Sequence, residues 1–134
     1  MAEEKIAVAT IAEDVYRTEL KARNHTLIAD EPEDVGGKNL GPRPGDFLRM
    51  SLASCTAITL RMYANRKKFD VKKIEVTVSG SEADGATLLE TTIRIDGNLD
   101  ETQRDRMLQI AKLCPVHKAL TNPIKIQTEL QVTH

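Results

Sequence analysis

Aromatic residues are scarce in this chain. Tyr16, Phe47, Tyr63 and Phe69 are the only four, and there is no tryptophan. A platform that stacks nucleic-acid bases needs more rings than that. Net charge is nearly absent too, because 19 basic and 20 acidic side chains leave a formal charge of −1. Nucleic-acid binding normally requires a strongly basic face, so that partner class is set aside. No apolar run reaches the ~18 residues a membrane span needs. The chain opens Met1-Ala2-Glu3-Glu4-Lys5, which carries no signal-peptide pattern. Cysteine is also sparse, with only Cys55 and Cys114. Small secreted scaffolds carry more. A reducing, cytoplasmic setting is therefore expected, with thiols that serve redox or nucleophilic chemistry rather than structural crosslinking.

What is present suffices for a core. The chain has 134 residues, of which 40% are apolar and 29% charged. That length and balance predict a single domain over 1–134 and exclude a disordered tail. Ile6 to Ile11 reads as a strand, and Tyr16 to Arg23 alternates more clearly. Glu13-Asp14 is a plausible turn between them, and Leu27 to Ala29 a short third strand. A loop follows from Asp30 to about Gly45, punctuated by Pro32, Gly36, Gly37, Gly41, Pro42 and Pro44. Gly37-Lys38 lacks the spacing and the trailing Ser/Thr of a phosphate loop.

Asp46 to about Lys68 reads as the main helix. Pro44 suits its first turn, and the Asp46 carboxylate complements the helix dipole. Met50 to Leu60 holds eleven residues without a charge on any face. A surface helix has a polar stripe. This one lacks it, which predicts cover on all sides and hence a second subunit.

The remainder alternates between sheet and helix. Val71 to Ser79 places Ile74, Val76 and Val78 on one face. Thr87 to Asp96 places Leu89, Thr91, Ile93 and Ile95 likewise, and Asp84-Gly85 predicts a hairpin between the two. Asp100 to Leu113 is the second helix, with Asp100 and Gln103 at capping-box spacing. Pro115 interrupts it and opens a new turn. Ile124 to Val132 alternates as a last strand. The order is β-β-β-α-β-β-α-β, an α+β pattern built from antiparallel pairs.

The chemistry rests on the thiols. On position alone, Cys55 in an apolar helix is usually a small hydrophobe. Cys114 directly precedes Pro115, at or near a helix N-cap, where backbone N–H groups stabilise a thiolate. His117 completes a Cys-x-x-His pair. The other candidate metal ligands are His25, His134 and the distant Cys55, so no metal site is expected. No cofactor is implied.

Three groups of residues carry a family resemblance. The first is Asp30-Glu31-Pro32 with Gly36-Gly37 and Gly41-Pro42-Arg43-Pro44-Gly45-Asp46-Phe47-Leu48. The second is Leu52-Ala53-Ser54-Cys55-Thr56-Ala57-Ile58-Thr59-Leu60-Arg61-Met62-Tyr63-Ala64. The third is Leu113-Cys114-Pro115-Val116-His117-Lys118. Together they resemble the OsmC/Ohr family of osmotically induced and organic hydroperoxide resistance proteins. The Asp-Glu-Pro and Gly-Pro-x-Pro patterns are most similar to its less characterised OsmC-like branch. The resemblance implies an intertwined homodimer, with two central helices flanked by antiparallel sheets that contain strands of both chains. It also implies thiol-dependent peroxidase activity toward organic hydroperoxides or hydrogen peroxide. Cys55 falls on the peroxidatic position and Cys114 on the resolving one, and an external thiol resets the pair. In the family an arginine from the N-terminal strands pairs with the reactive thiolate, and a carboxylate orients it. Arg17 and Arg23 share a strand face and either fits, with Arg23 favoured at the strand end before Asn24-His25. Gly45 stands where other branches carry Glu, so Asp46 is the nearest carboxylate.

A substrate pocket beside Cys55 is expected from Phe47, Leu48, Met50 and Met62. The apolar neighbours Leu52, Ala53 and Ile58 should raise the Cys55 pKa unless a cation pairs with it. The alternative is a non-catalytic small-molecule-binding or redox-sensing dimer on the same scaffold, since a fold does not fix a function.

Overall fold

The computed structural model describes residues 5–133, so His134 lies outside the described residues. The chain forms two compact units, Met1–Arg49 and Met50–His134.

The first unit holds three strands in an antiparallel meander: β1 (Val8–Ile11), β2 (Thr18–Ala22) and β3 (His25–Ala29). Thr10 pairs with Glu19 and Leu20 with Leu27. Strand β2 is shorter than the alternation predicts. Arg17 lies just before it, and Arg23 lies in the tight turn after it with φ 53°. The two arginines therefore flank the strand instead of sharing its face.

The loop after β3 is ordered by a carboxylate. Asp30 is buried and accepts hydrogen bonds from the backbone N–H groups of Glu31 (2.7 Å) and Leu40 (3.1 Å). Its own N–H donates to the Pro42 carbonyl at 3.0 Å. Burial alone would raise the Asp30 pKa, but the N–H groups of Glu31, Leu40 and Lys38 outweigh it and hold the carboxyl below its ordinary value. An ion pair from Arg43 to Glu31 (2.9 Å) closes the loop. Gly41 is required here, because a Cβ would collide with the Ile28 carbonyl.

Helix α1 (Pro44–Lys67) begins in the first unit and continues into the second. Proline at its start loses no helical hydrogen bond. The Asp46 side chain accepts from the Arg43 N–H at 2.9 Å and pairs with Arg49 at 2.6 Å.

The second unit contains the rest of α1, a long hairpin and two helices. Strands β4 (Asp70–Ala83) and β5 (Ala86–Asn98) are joined by Asp84-Gly85, both at positive φ as this type of turn requires. Ile74, Val76 and Val78 stand opposite Ile95, Ile93 and Thr91. Helix α2 (Glu101–Ala111) carries the complete capping box between Asp100 and Gln103. Helix α3 (Pro115–Thr121) follows, with Cys114 as its N-cap.

The core of this unit joins Leu60, Tyr63 and Ala64 of α1 to Met107, Ile110 and Ala111 of α2. Phe69, Val71, Ile74, Ile93, Ile95 and Leu99 pack against it. Phe69 meets Tyr63 edge-on, with ring centroids 5.8 Å apart, and Arg106 Nε donates to the Tyr63 hydroxyl at 3.0 Å.

One predicted element does not form. Residues 124–132 adopt no regular structure in this chain, and their apolar side chains are exposed, Ile126 at 83% and Leu130 at 87%. Alternation specifies which side chains would face a core, but a strand also needs a neighbour with free backbone groups. Helices and antiparallel sheets together make the fold α+β.

Candidate active site at the Cys55–Cys114 junction

The second unit brings the two cysteines together, although they are 59 positions apart. Helix α1 presents one buried stripe, Leu52, Thr56, Leu60 and Tyr63, at helical spacing. Cys55 lies on the edge of that stripe and is half-buried. Cys114 comes to it from the junction of α2 and α3, which Pro115 creates by ending one helix and starting the next.

The two sulfurs differ sharply in surroundings. Cys114 is fully buried, at 0% exposure. Its Sγ accepts from the His117 backbone N–H at 3.2 Å and from the Thr56 hydroxyl at 3.8 Å. Burial pushes the Cys55 thiol up, and the Cys114 sulfur beside it adds to the rise. The Val116 N–H and the Thr59 hydroxyl pull the other way without prevailing. This is the direction that the apolar neighbours predict. Cys55 thus lies adjacent to a second sulfur that already accepts from two hydrogen-bond donors.

The other expected site residues lie elsewhere in the chain. Arg17 is half-buried and Arg23 exposed, both in the first unit. The described partners of the Asp46 carboxylate are the Arg43 N–H and Arg49, its near neighbours in sequence. They hold its pKa below the ordinary value, the Arg43 N–H first and the Arg49 guanidinium second. Phe47 is half-buried, while Leu48, Met50 and Met62 are exposed in the single chain, Met62 at 67%.

None of these four lines the cavity of about 450 Å³ that lies beside Thr56 and His117. Its walls come from Leu52 on α1, Leu88, Leu89 and Ile93 on β5, and Leu108 and Leu120 on the two later helices. Among the described residues, no group of three or more His, Cys, Asp or Glu is placed to hold a metal ion. No helix of the described residues is long and apolar enough to cross a membrane.

Sequence reasoning missed two residues here. Thr56 lies within the uncharged stretch of α1 without being singled out; its signal is a hydroxyl on the same stripe as Leu52 and Leu60. Asp30 passed as a loop residue; its signal is a carboxylate at the head of a Gly/Pro-rich segment, where free N–H groups are plentiful.

The chain belongs to the OsmC-like protein family, whose model matches residues 36–129. Several solved structures share the fold. An OsmC-like protein of Mycoplasma pneumoniae superposes with a TM-score of 0.74 at 23% identity, covering 90% of this chain and 89% of that one. An organic hydroperoxide resistance protein OsmC of Legionella pneumophila gives 0.64 at 19%, covering 90% and 91%. The organic hydroperoxide resistance protein OhrB of Bacillus subtilis gives 0.59 at 18%, covering 96% and 98%. No curated protein sequence matches significantly.

Proposed function

We propose that this chain is a thiol-dependent peroxidase for organic hydroperoxides or hydrogen peroxide. The observation that carries this reading is the Cys114 sulfur beside Cys55 within one unit. A half-buried thiol next to a buried, donor-served thiol suits a two-step cycle. The Cys55 thiolate attacks the terminal oxygen of the peroxide, the O–O bond breaks, and the alcohol or water leaves as Cys55 becomes a sulfenic acid. Cys114 then attacks the Cys55 sulfur and expels water, forming the disulfide. Two equivalents of an external thiol restore both cysteines. The names of the Legionella and Bacillus relatives support a hydroperoxide as the substrate class.

The raised Cys55 thiol sets a requirement. A cation must pair with the thiolate for fast reaction. Arg23 or Arg17 fills that role in this reading, delivered within a homodimer, and Asp46 steadies the charge near the start of α1. Two sets of uncovered apolar residues support the dimer. One is the face of α1 carrying Ile58 and Met62; the other is the Ile124–Val132 stretch. A second copy covers the first and supplies a sheet edge to the second. The family model crosses the boundary between the two compact units, which supports a single functional domain. Two free cysteines fit a cytoplasmic, reducing setting.

The raised Cys55 thiol also favours a second reading, in which the dimer binds an apolar molecule and the cysteines only report oxidation. A thiol-coupled peroxide-consumption assay separates the two. The peroxidase turns over, and Cys55→Ser abolishes turnover. A wild-type protein that consumes no peroxide leaves the binding or sensing role.

A further inference from the structure

We propose that the Thr56 hydroxyl is a positioning group for the Cys114 sulfur, and that it directs an external thiol to the Cys55 side of the Cys55–Cys114 disulfide. This rests on the reading of the two cysteines as a redox pair. It adds which sulfur the reductant attacks and which residue decides it.

Thr56 sits on the buried stripe of α1 with only 3% exposure. A hydroxyl so placed is costly unless it finds a partner. Its Oγ1 donates to Cys114 Sγ at 3.8 Å, from a residue 58 positions away in sequence. The His117 N–H reaches the same sulfur at 3.2 Å. Two donors from different elements therefore converge on one sulfur that solvent does not reach. Cys55 differs in exposure and in balance: it is half-buried, and burial together with the Cys114 sulfur outweighs the Val116 N–H and the Thr59 hydroxyl that reach it.

Thiol–disulfide exchange is governed by access to the attacked sulfur and by how well the other sulfur leaves. Both criteria select the same direction here. The lone pair of an external thiolate forms a new bond to Cys55 Sγ. The Cys55–Cys114 bond breaks, and its electron pair passes to Cys114 Sγ, where the Thr56 hydroxyl and the His117 N–H receive the charge. Cys114 then takes up the proton that the external thiol gave up on ionising to its thiolate. A second external thiolate attacks the outer sulfur of the mixed disulfide, releases Cys55, and leaves the reductant oxidised as its own disulfide. In the forward cycle the same two donors hold the Cys114 sulfur toward Cys55, so its approach to the sulfenic acid is preset.

The test needs no peroxide, so it stands apart from the peroxidase assay. Full-length protein is oxidised with diamide and exposed to glutathione. The reaction is quenched with acid at intervals, and the glutathione adduct is located by peptide mass. Wild type is expected to carry glutathione on Cys55 and a free thiol at Cys114. Thr56→Val keeps the volume and removes the donor; it should slow reduction about tenfold, the loss expected for one hydrogen bond to a charged leaving group. Thr56→Ser keeps the donor and should restore the rate to within about twofold. That rescue, with reduced proteins of equal melting temperature, separates a positioning role from mere packing. Adduct on Cys114, or Thr56→Val reacting at the wild-type rate, overturns the proposal. If Thr56→Val does not fold, the wild-type adduct site still decides the direction, and Thr56→Ala takes its place as the donor-free variant: slowing of about tenfold supports the role, and a wild-type rate overturns it. Failure of diamide to join the two cysteines overturns it outright, together with the redox-pair reading. Absence of peroxide turnover alone would count against the peroxidase and not against the direction of reduction.

Discussion

Joining Cys55 to Cys114 by oxidation should raise the melting temperature. The two residues are 59 positions apart. Closing a loop of that size removes unfolded-chain entropy worth about 4 kcal/mol. A local loss opposes the gain. In the reduced protein the Cys114 sulfur caps α3 by accepting from the His117 N–H at 3.2 Å, and it also accepts from Thr56. A disulfide sulfur accepts less well, and weakening a cap costs about 1 kcal/mol. The net gain is then about 3 kcal/mol. For a chain of this length each kcal/mol moves Tm by roughly 3–4 °C, so a rise of roughly 10 °C is expected. The assay is scanning calorimetry of reduced protein and of protein treated with one equivalent of peroxide, with intact mass measured on the same samples. Cys55→Ser and Cys114→Ser should show no upward shift. A loss of two hydrogens with an unchanged or lower Tm would refute the loop-closure reasoning. Overoxidation of one cysteine without that mass loss would remove Cys114 from its resolving role.

Three further outcomes are expected. Arg23→Ala or Arg17→Ala should slow the peroxide reaction of Cys55 by tenfold or more, because a charge-assisted partner of a thiolate is worth roughly 1.5–3 kcal/mol; stopped-flow oxidation of both variants checks it. Light scattering at micromolar concentration should show a dimer, and Ile58→Glu or Met62→Lys on the uncharged face of α1 should yield monomers; a wild-type monomer contradicts the dimer. The Asp46 carboxyl is held below its ordinary value of 3.8 by the Arg43 N–H and Arg49. Its contribution is therefore complete above that pH and is lost as pH falls through the lowered value. Acid unfolding followed by circular dichroism should lose this part of its pH dependence in Asp46→Asn.

Elements fixed by local chemistry were legible in the sequence. Asp84-Gly85 supplies two residues that tolerate positive φ, so the hairpin and its register follow from the turn. Asp100 and Gln103 satisfy each other's backbone N–H groups, which fixes the start of α2. Cys114 before Pro115 marked a helix N-cap for a similar reason. What the sequence could not disclose depends on distant partners. Ile124–Val132 alternates like a strand yet has none beside it in one chain, since alternation names faces and not neighbours. Arg17 and Arg23 read as one strand face because the alternating pattern runs past both ends of β2. Among the site residues, the two cysteines stood out by rarity. Thr56 did not, because a threonine among Leu52, Ala53 and Leu60 gains its meaning only when Cys114 arrives from a junction 58 positions later.

Stopped-flow oxidation of wild type, Cys55→Ser and Cys114→Ser by an organic hydroperoxide tests the assignment of the two thiols most directly. Cys114 is a helix N-cap and fully buried, whereas Cys55 is half-buried. If Cys55 is the peroxidatic residue, Cys114→Ser keeps the wild-type second-order rate and stops at a sulfenic acid, while Cys55→Ser loses the reaction. A Cys55→Ser protein that reacts at the wild-type rate would make Cys114 the nucleophile and invert the mechanism.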